Sequence, residues 1–153
     1  MNSPREDLIE LFEYVWQRFT DRMDGLSDAE WLWEPLADDR VTLRWRMQHI
    51  AEFLAAERNG PWLGLAAEPG GELPAPADSA AAALWDLNTA YTQWRGQLDE
   101  TTDESLGELI GPVAGQYGDA TRRAFALHII DELVHHTAEA ALLRDLYAGQ
   151  RGE

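Results

Sequence analysis

The 153-residue sequence contains no cysteine and no lysine. Without cysteine the chain has neither a disulfide nor a thiolate nucleophile. Without lysine it has neither a Schiff-base amine nor the phosphate-binding lysine of a Walker motif. Any covalent chemistry therefore has to come from other groups.

Basic residues are also scarce, because 12 arginines stand against 28 acidic residues and the formal net charge is -16. Such a charge repels a phosphate backbone or an anionic membrane, so we expect no nucleic-acid or membrane partner. No apolar run approaches the ~20 residues of a transmembrane helix. The first residues, MNSPREDLIE, are acidic and polar where a signal peptide would be basic and then apolar, so we expect a soluble cytoplasmic protein.

Hydrophobic residues make up 45% of the chain, which is enough for a core. A chain of this length buries roughly 68–70% of its unfolded surface, and we predict one domain over residues 1–153. Apolar positions recur at helical spacing in four blocks. These blocks cover residues 8–23, residues 42–58, residues 84–98 and residues 119–147.

Local signals mark where these helices begin and end. Ser3, Pro4 and Glu6 form an N-terminal capping pattern, and Ser27 with Glu30 predicts a further short helix that ends before residue 35. Asn59 and the Gly-Pro pair after it are expected to end the second helix. Residues 66–76 and 111–118 are rich in glycine and read as connections. No strand pattern is evident.

These blocks predict an all-α four-helix bundle with long connections. A helix of 17 residues is about 25 Å long, whereas an extended connection of about 18 residues spans about 60 Å. Each connection can therefore start the next helix at either end of the bundle. The topology stays open on length alone.

Histidines occur in only two of the four predicted helices. His128, Glu132 and His136 follow one another at i, i+4 spacing on the fourth helix, and His49 lies on the second. An isolated Glu-x-x-x-His pair is most often a hydrogen-bonded boundary feature. Here the two helices can face each other in a bundle, so we predict a metal site of His49, Glu132 and His136. Three protein ligands leave coordination positions open, as catalytic metal sites do.

A di-iron site is the competing interpretation of the same helix. Glu132 and His135 form the Glu-x-x-His motif of ferritin-like proteins, which requires a second such motif on another helix. Arg46 stands three residues before His49, where that second motif needs glutamate. We therefore favour the single-metal site.

Three segments together resemble the DinB-like superfamily of metal-binding four-helix bundles. They are LSDAEWLWEP at residues 26–35, TLRWRMQHIAEF at residues 42–53 and HIIDELVHHTAEAALLRDLY at residues 128–147. The resemblance is to the branch of mycothiol-dependent S-transferases and the N-terminal domain of a maleylpyruvate isomerase, which has a pattern like His-x-x-x-Glu-x-x-x-His. It implies His49, Glu132 and His136 as metal ligands and leaves His128 outside the ligand set.

The resemblance implies a transferase in which one divalent ion, zinc or nickel, activates a low-molecular-weight thiol such as mycothiol or bacillithiol for attack on a small electrophilic substrate. His128, His135 and Glu139 are candidates for orienting ligands or relaying protons. One alternative is a metal-dependent hydrolase at the same site. Another is a non-catalytic protein in which the metal braces the bundle. Tryptophans in the connections, including Trp31 and Trp62, would then cap the core, line a pocket or mark an interface such as a homodimer.

Overall fold

The fold is an all-α four-helix bundle, as predicted, and a computed structural model describes residues 1–67 and 75–151. Those ranges contain seven α-helices and one 3-10 helix, and their only β pairing is an isolated bridge between Leu109 and Thr121. The α-helices are α1 Pro4–Met23, α2 Asp28–Leu32, α3 Leu43–Leu54, α4 Asn59–Trp62, α5 Ala80–Asp99, α6 Asp103–Gly107 and α7 Arg122–Arg151. The 3-10 helix Pro112–Tyr117 lies between α6 and α7. Helices α1, α3, α5 and α7 form the bundle.

Side-chain caps begin the helices where the sequence predicted them. Ser3 accepts a hydrogen bond from the Glu6 amide, and the Glu6 carboxylate accepts one from the Ser3 amide. Ser27 and Glu30 make the same reciprocal pair at the start of α2. Thr42 caps α3 through the amide of the third residue after it. Each pair satisfies amides that have no partner within the helix.

The second long helix ends earlier than expected. Helix α3 has 12 residues and stops at Leu54, and residues from Asn59 onward form the separate short helix α4. Asn59 is fully buried and donates to the carbonyls of Phe53 (2.9 Å) and Leu54 (3.1 Å). Its amide thus satisfies carbonyls that the end of α3 leaves free. The asparagine that we expected to break the helix is its C-terminal partner.

Helix α1 lies antiparallel to α5 and parallel to α7. Arg5, at the start of α1, donates to the Leu98 carbonyl at the end of α5 (3.1 Å). Arg22, at the end of α1, pairs with Asp145 near the end of α7. Together these contacts fix the direction of three of the four long helices.

Helix α3 packs against both α5 and α7. Arg46, near the start of α3, pairs with Glu139 in the second half of α7, while Arg58, beyond the end of α3, lies over the Phe125 ring near the start of α7. Helix α3 is therefore antiparallel to α7 and parallel to α5. The connection between α3 and α5 links parallel neighbours, and most of its glycine- and proline-rich part, residues 66–76, lies outside the described residues.

Aromatic side chains fill the centre of the bundle. Trp94 of α5 is fully buried, with its ring centroid 5.6 Å from that of Phe12 on α1. Trp16 of α1 stacks on Tyr91 of α5 at 4.3 Å. Trp31 is buried and caps this core from α2. No helix in the described ranges is long and apolar enough to cross a membrane.

Candidate metal centre

Three potential metal ligands converge where α3 and α7 face each other. His49 projects from α3, and Glu132 and His136 project from successive turns of α7. One ligand atom from each residue lies within 4.8 Å of the others. The structure therefore brings together the three residues that the histidine pattern singled out. Because α3 and α7 are antiparallel neighbours, the set needs no contribution from a loop.

The distances within this cluster suit a single divalent ion. Nε2 of His136 lies 3.2 Å from Oε2 of Glu132, and Nε2 of His49 lies 3.6 Å from the same oxygen. Two ligands bound about 2.1 Å from a tetrahedral ion are about 3.4 Å apart. The distances from the carboxylate oxygen to the two imidazole nitrogens are thus close to those between ligands of one ion, and all three atoms lie within 4.8 Å of one another. The residues fit a divalent cation such as zinc.

Aromatic neighbours fix the His49 ring. The Trp45 ring stacks on it with centroids 4.9 Å apart and an interplanar angle of 16°. Phe53 meets the same imidazole edge-on at 5.7 Å. Trp45 and Phe53 stand four residues before and four after His49, so the helix places all three on one face. The His49 ring is therefore oriented before any ligand binds.

Glu139 and Arg46 hold His136 from the side opposite Glu132. Nδ1 of His136 lies 3.3 Å from Oε1 of Glu139, whose other oxygen is 2.6 Å from the Arg46 guanidinium. Arg46 also lies over the Trp45 ring, 4.9 Å from its centroid. One arginine thus contacts the carboxylate behind His136 and the indole that stacks on His49.

The two ring nitrogens of His136 have different neighbours. Nε2 lies 3.2 Å from Oε2 of Glu132, whereas Nδ1 lies 3.5 Å from the Arg46 guanidinium and 3.3 Å from Oε1 of Glu139. Because a guanidinium only donates and a carboxylate accepts, the contacts of Arg46 and Glu132 fit an imidazole with its proton on Nε2. Metal binding through Nε2 would require the proton on Nδ1, beside Glu139. Burial and the neighbouring His49 ring lower the pKa of His136 below its ordinary value of 6.5, against the opposing effect of Glu139 and Glu132. A neutral imidazole is the form that binds metal.

The three candidate ligands differ in their exposure to solvent. The side chain of His136 is 11% exposed, whereas those of His49 and Glu132 are 32% and 31% exposed. Solvent therefore reaches the cluster beside His49 and Glu132, while His136 is shielded.

The remaining candidate residues lie around the cluster. His135 is largely exposed and pairs with Glu139, so Glu139 faces both histidines and Arg46. His128 lies one turn before Glu132, is exposed and lines a separate cavity. Their roles as orienting or proton-relaying groups stay predictions.

The sequence interpretation missed the role of Arg46. We considered it only as the residue that breaks a second Glu-x-x-His motif, yet it forms the ion pair that holds Glu139. The spacing of Arg46 and Glu139 along their helices could have indicated this ion pair. Arg46 stands three residues from His49, and Glu139 stands three residues from His136, so both lie beside a predicted ligand.

Other arginines of α7 have structural partners. Arg144 donates to Glu30 and to the Arg22 carbonyl, and Arg122 pairs with Glu108. These ion pairs and hydrogen bonds account for the positions of the two arginines.

Comparison with protein families gives one match. The family described as the DinB superfamily matches residues 11–140, which is most of the chain and includes His49, Glu132, His136 and Glu139. No curated protein and no solved structure matches the sequence significantly.

Proposed function

The chain belongs to the DinB superfamily, and we propose that it is a divalent-metal-dependent transferase acting on a low-molecular-weight thiol. The observation that carries the proposal is the convergence of His49 and His136, whose Nε2 atoms lie 3.6 Å and 3.2 Å from one oxygen of Glu132. The thiol is of the mycothiol or bacillithiol type, and its acceptor is a small electrophile. Zinc and nickel are the metals that we expect.

A divalent ion held by these residues supplies Lewis acidity, which lowers the pKa of a thiol and favours the nucleophilic thiolate at neutral pH. The chain itself has no cysteine, so the nucleophile has to come from a cosubstrate. This requirement agrees with the partial exposure of His49 and Glu132 to solvent.

The protein residues have distinct tasks in this proposal. His49, Glu132 and His136 hold the ion. Glu139, fixed by Arg46, lies 3.3 Å from Nδ1 of His136 and would accept a hydrogen bond from that nitrogen when Nε2 binds the ion. His135 reaches solvent and contacts Glu139, which provides a route for a proton leaving the site. Trp45 excludes water from one face of His49.

Hydrolysis at the same metal centre is less well supported. It requires a carboxylate or imidazole that is free to deprotonate water. Of the two candidate bases, Glu139 is held by Arg46 at 2.6 Å and faces His136, and His128 lines a separate cavity. We therefore favour thiol transfer over hydrolysis.

The test combines metal content with turnover. Zinc-loaded and nickel-loaded protein is assayed with mycothiol, bacillithiol and glutathione against a panel of electrophiles such as chlorodinitrobenzene and monochlorobimane. We expect thiol-dependent turnover with one ion per chain. His49→Ala and His136→Ala should each lose both the ion and the activity, while His128→Ala should keep the ion.

Three results would count against parts of this proposal. Unchanged metal stoichiometry in either ligand variant would dispose of the assigned site. Ester or amide hydrolysis without thiol would favour the hydrolase. A metal-loaded protein without turnover on any substrate would favour a bracing role for the metal.

A further inference from the structure

A cavity separate from the metal cluster lies at the start of α7. Its volume is about 330 Å³, and it is bounded by α4 and the residue before it, the 3-10 helix with its flanking residues, and the start of α7. Small-molecule pockets range from about 300 to 1,000 Å³, so this cavity suits a fragment-sized ligand. None of the metal-site residues lines it.

Aromatic rings form the walls of this cavity. Trp62 of α4 lies 5.1 Å from Phe125 and 6.0 Å from Tyr117, measured between ring centroids. The Tyr117 side chain is more than half exposed, so one face of its ring is open to solvent. Such walls favour a planar, apolar ligand body, which stacks on them or meets them edge-on.

The polar side chains that line the cavity are Arg58, His128 and Tyr117. The Arg58 guanidinium lies 4.6 Å from the centre of the Trp62 ring and 5.6 Å from that of Phe125. Among the described residues no carboxylate lies within ion-pairing distance of Arg58, and none lines the cavity. In a chain of net charge -16 this is an unusual local excess of donors and positive charge. An anionic group is the partner that such a surface attracts.

We propose that this cavity binds a small aromatic carboxylate or a similar planar organic anion. The ring lies among Trp62, Tyr117 and Phe125, and the anion accepts hydrogen bonds from Arg58 and His128. Arg58 serves well here because its planar fork binds a carboxylate with two parallel hydrogen bonds while its face stacks on an indole.

The cavity also has a defined place beside the proposed reaction. His128 precedes Glu132 by four residues on α7, so the two side chains share a helix face one turn apart. A ligand held at His128 therefore lies one helical turn from Glu132. We assign the cavity to the acceptor substrate, an assignment that rests on the proposed transfer reaction. Binding of the anion does not depend on that reaction and is measured separately.

The probes are 4-fluorobenzoate and its neutral analogue 4-fluorobenzamide, titrated against metal-free protein and followed by fluorine NMR. We expect 4-fluorobenzoate to bind at least about tenfold more tightly than 4-fluorobenzamide, since a hydrogen bond from Arg58 to a charged acceptor is stronger than one to a neutral acceptor. The Trp62 indole resonance, assigned with Trp62→Phe, should shift on binding. Metal-loaded protein should bind the carboxylate through the same residues.

Arg58→Gln tests the anion contact, and Arg18→Gln is its matched control. Arg18 is likewise exposed and lies over an aromatic ring, that of Tyr14, but on α1. We expect Arg58→Gln to weaken carboxylate binding about tenfold or more and Arg18→Gln to leave it unchanged. His128→Gln should weaken it less, because a neutral donor remains.

Several outcomes would overturn the assignment. They are equal binding of the two probes, equal affinities of the two arginine variants, binding only in the presence of metal, and no binding at all. If the carboxylate binds through Arg58 but no thiol transfer is found, the anion-binding site is supported and the proposed transferase function is rejected. If transfer proceeds normally in Arg58→Gln with anionic acceptors, the acceptor assignment falls alone.

Discussion

At the scale of single residues, both histidines of the metal cluster have neighbouring side chains that orient their rings. His136 contacts Glu132 through one ring nitrogen and Glu139 through the other. His49 is stacked against Trp45. Supporting contacts of this kind restrict the orientation of the imidazoles, so less freedom is lost when an ion binds. The cluster is therefore better prepared for metal than a chance group of acidic and histidine side chains on a surface.

Glu139 provides the first prediction. Glu139→Ala removes both the carboxylate beside His136 Nδ1 and the partner of Arg46, so we expect zinc affinity to fall about 10–100-fold. The affinity of Glu139→Gln should fall less, because its amide oxygen could still accept a hydrogen bond from the Nδ1–H of a metal-bound His136. Competition with a chelating dye gives the affinities, and Glu104→Ala, at an exposed position on α6, is the control. Equal affinities in Glu139→Ala and the control would mean that Glu139 does not position His136.

The ligand residues themselves could be predicted from sequence, whereas their supporting partners could not. The spacing of Glu132 and His136 fixes their relative positions because both lie on one helix. His49 could be predicted to lie near Glu132 and His136 on the single assumption that the two predicted helices are neighbours. Arg46 and Glu139 meet across the helix pair, and that contact depends on the direction and axial offset of α3 against α7. Neither quantity can be read from a pattern within one helix.

At the scale of elements, helix starts were predictable and helix ends were less so. Capping side chains are local, since Ser3 and Glu6 are three residues apart and satisfy each other. The end of α3 depends on Asn59, five residues beyond Leu54 and buried by the fold. Its effect arises from tertiary position and not from local propensity.

Asn59→Ala should therefore destabilise the protein measurably. The variant leaves the Phe53 and Leu54 carbonyls without their buried donor, which we expect to cost about 1–3 kcal/mol. Asn88→Ala is the matched control. Like Asn59, Asn88 donates to a backbone carbonyl, that of Leu84, but its side chain is exposed. Urea unfolding of both variants gives the comparison. If the two variants lose equal stability, burial of the Asn59 contact does not matter.

Arg144 connects three elements, which leads to the third prediction. It donates to Glu30 of α2 at 2.8 Å and to the Arg22 carbonyl of α1 at 2.7 Å. Arg144→Ala should cost about 1.5–3 kcal/mol at pH 7, the contribution of hydrogen bonds to charged groups. Arg40→Ala removes the exposed pair with Asp38 and should cost under about 1 kcal/mol. Thermal and urea unfolding measure both changes.

The Arg144 contribution should also depend on pH. Burial opposes ionisation of Glu30, but hydrogen bonds from Arg144 and Ser27 outweigh it and lower the pKa of Glu30 below its ordinary 4.5. The unfolded chain therefore binds this proton at a higher pH than the native chain does, so the stabilisation is present above pH 4.5 and is lost as the pH falls. The stability difference between wild type and Arg144→Ala should shrink below pH 4.5. A constant difference down to pH 2 would contradict the linkage.

At the scale of the whole molecule, the four apolar helix faces predicted the bundle but not its topology. Connection lengths allowed either direction for each helix. The directions follow from contacts between distant residues, such as Arg5 with Leu98 and Arg46 with Glu139. Those contacts place α3 antiparallel to α7, and this pairing brings His49 opposite Glu132 and His136. The metal cluster is thus a consequence of topology as well as of helix spacing.

Removal of the metal tests whether the centre serves chemistry or folding. The buried core includes Phe12, Trp94 and Leu133, all fully shielded from solvent without any contribution from an ion. An ion that binds only the native state adds RT ln(1 + [L]/Kd), about 4 kcal/mol when free metal is at 1,000 times Kd. Chelation should therefore lower the melting temperature but leave helical circular dichroism at 25 °C nearly unchanged, and His49→Ala should melt at one temperature with and without chelator. If the chelated wild-type protein unfolds at 25 °C instead, the ion is needed for the fold, and the proposal of a catalytic centre loses its main support.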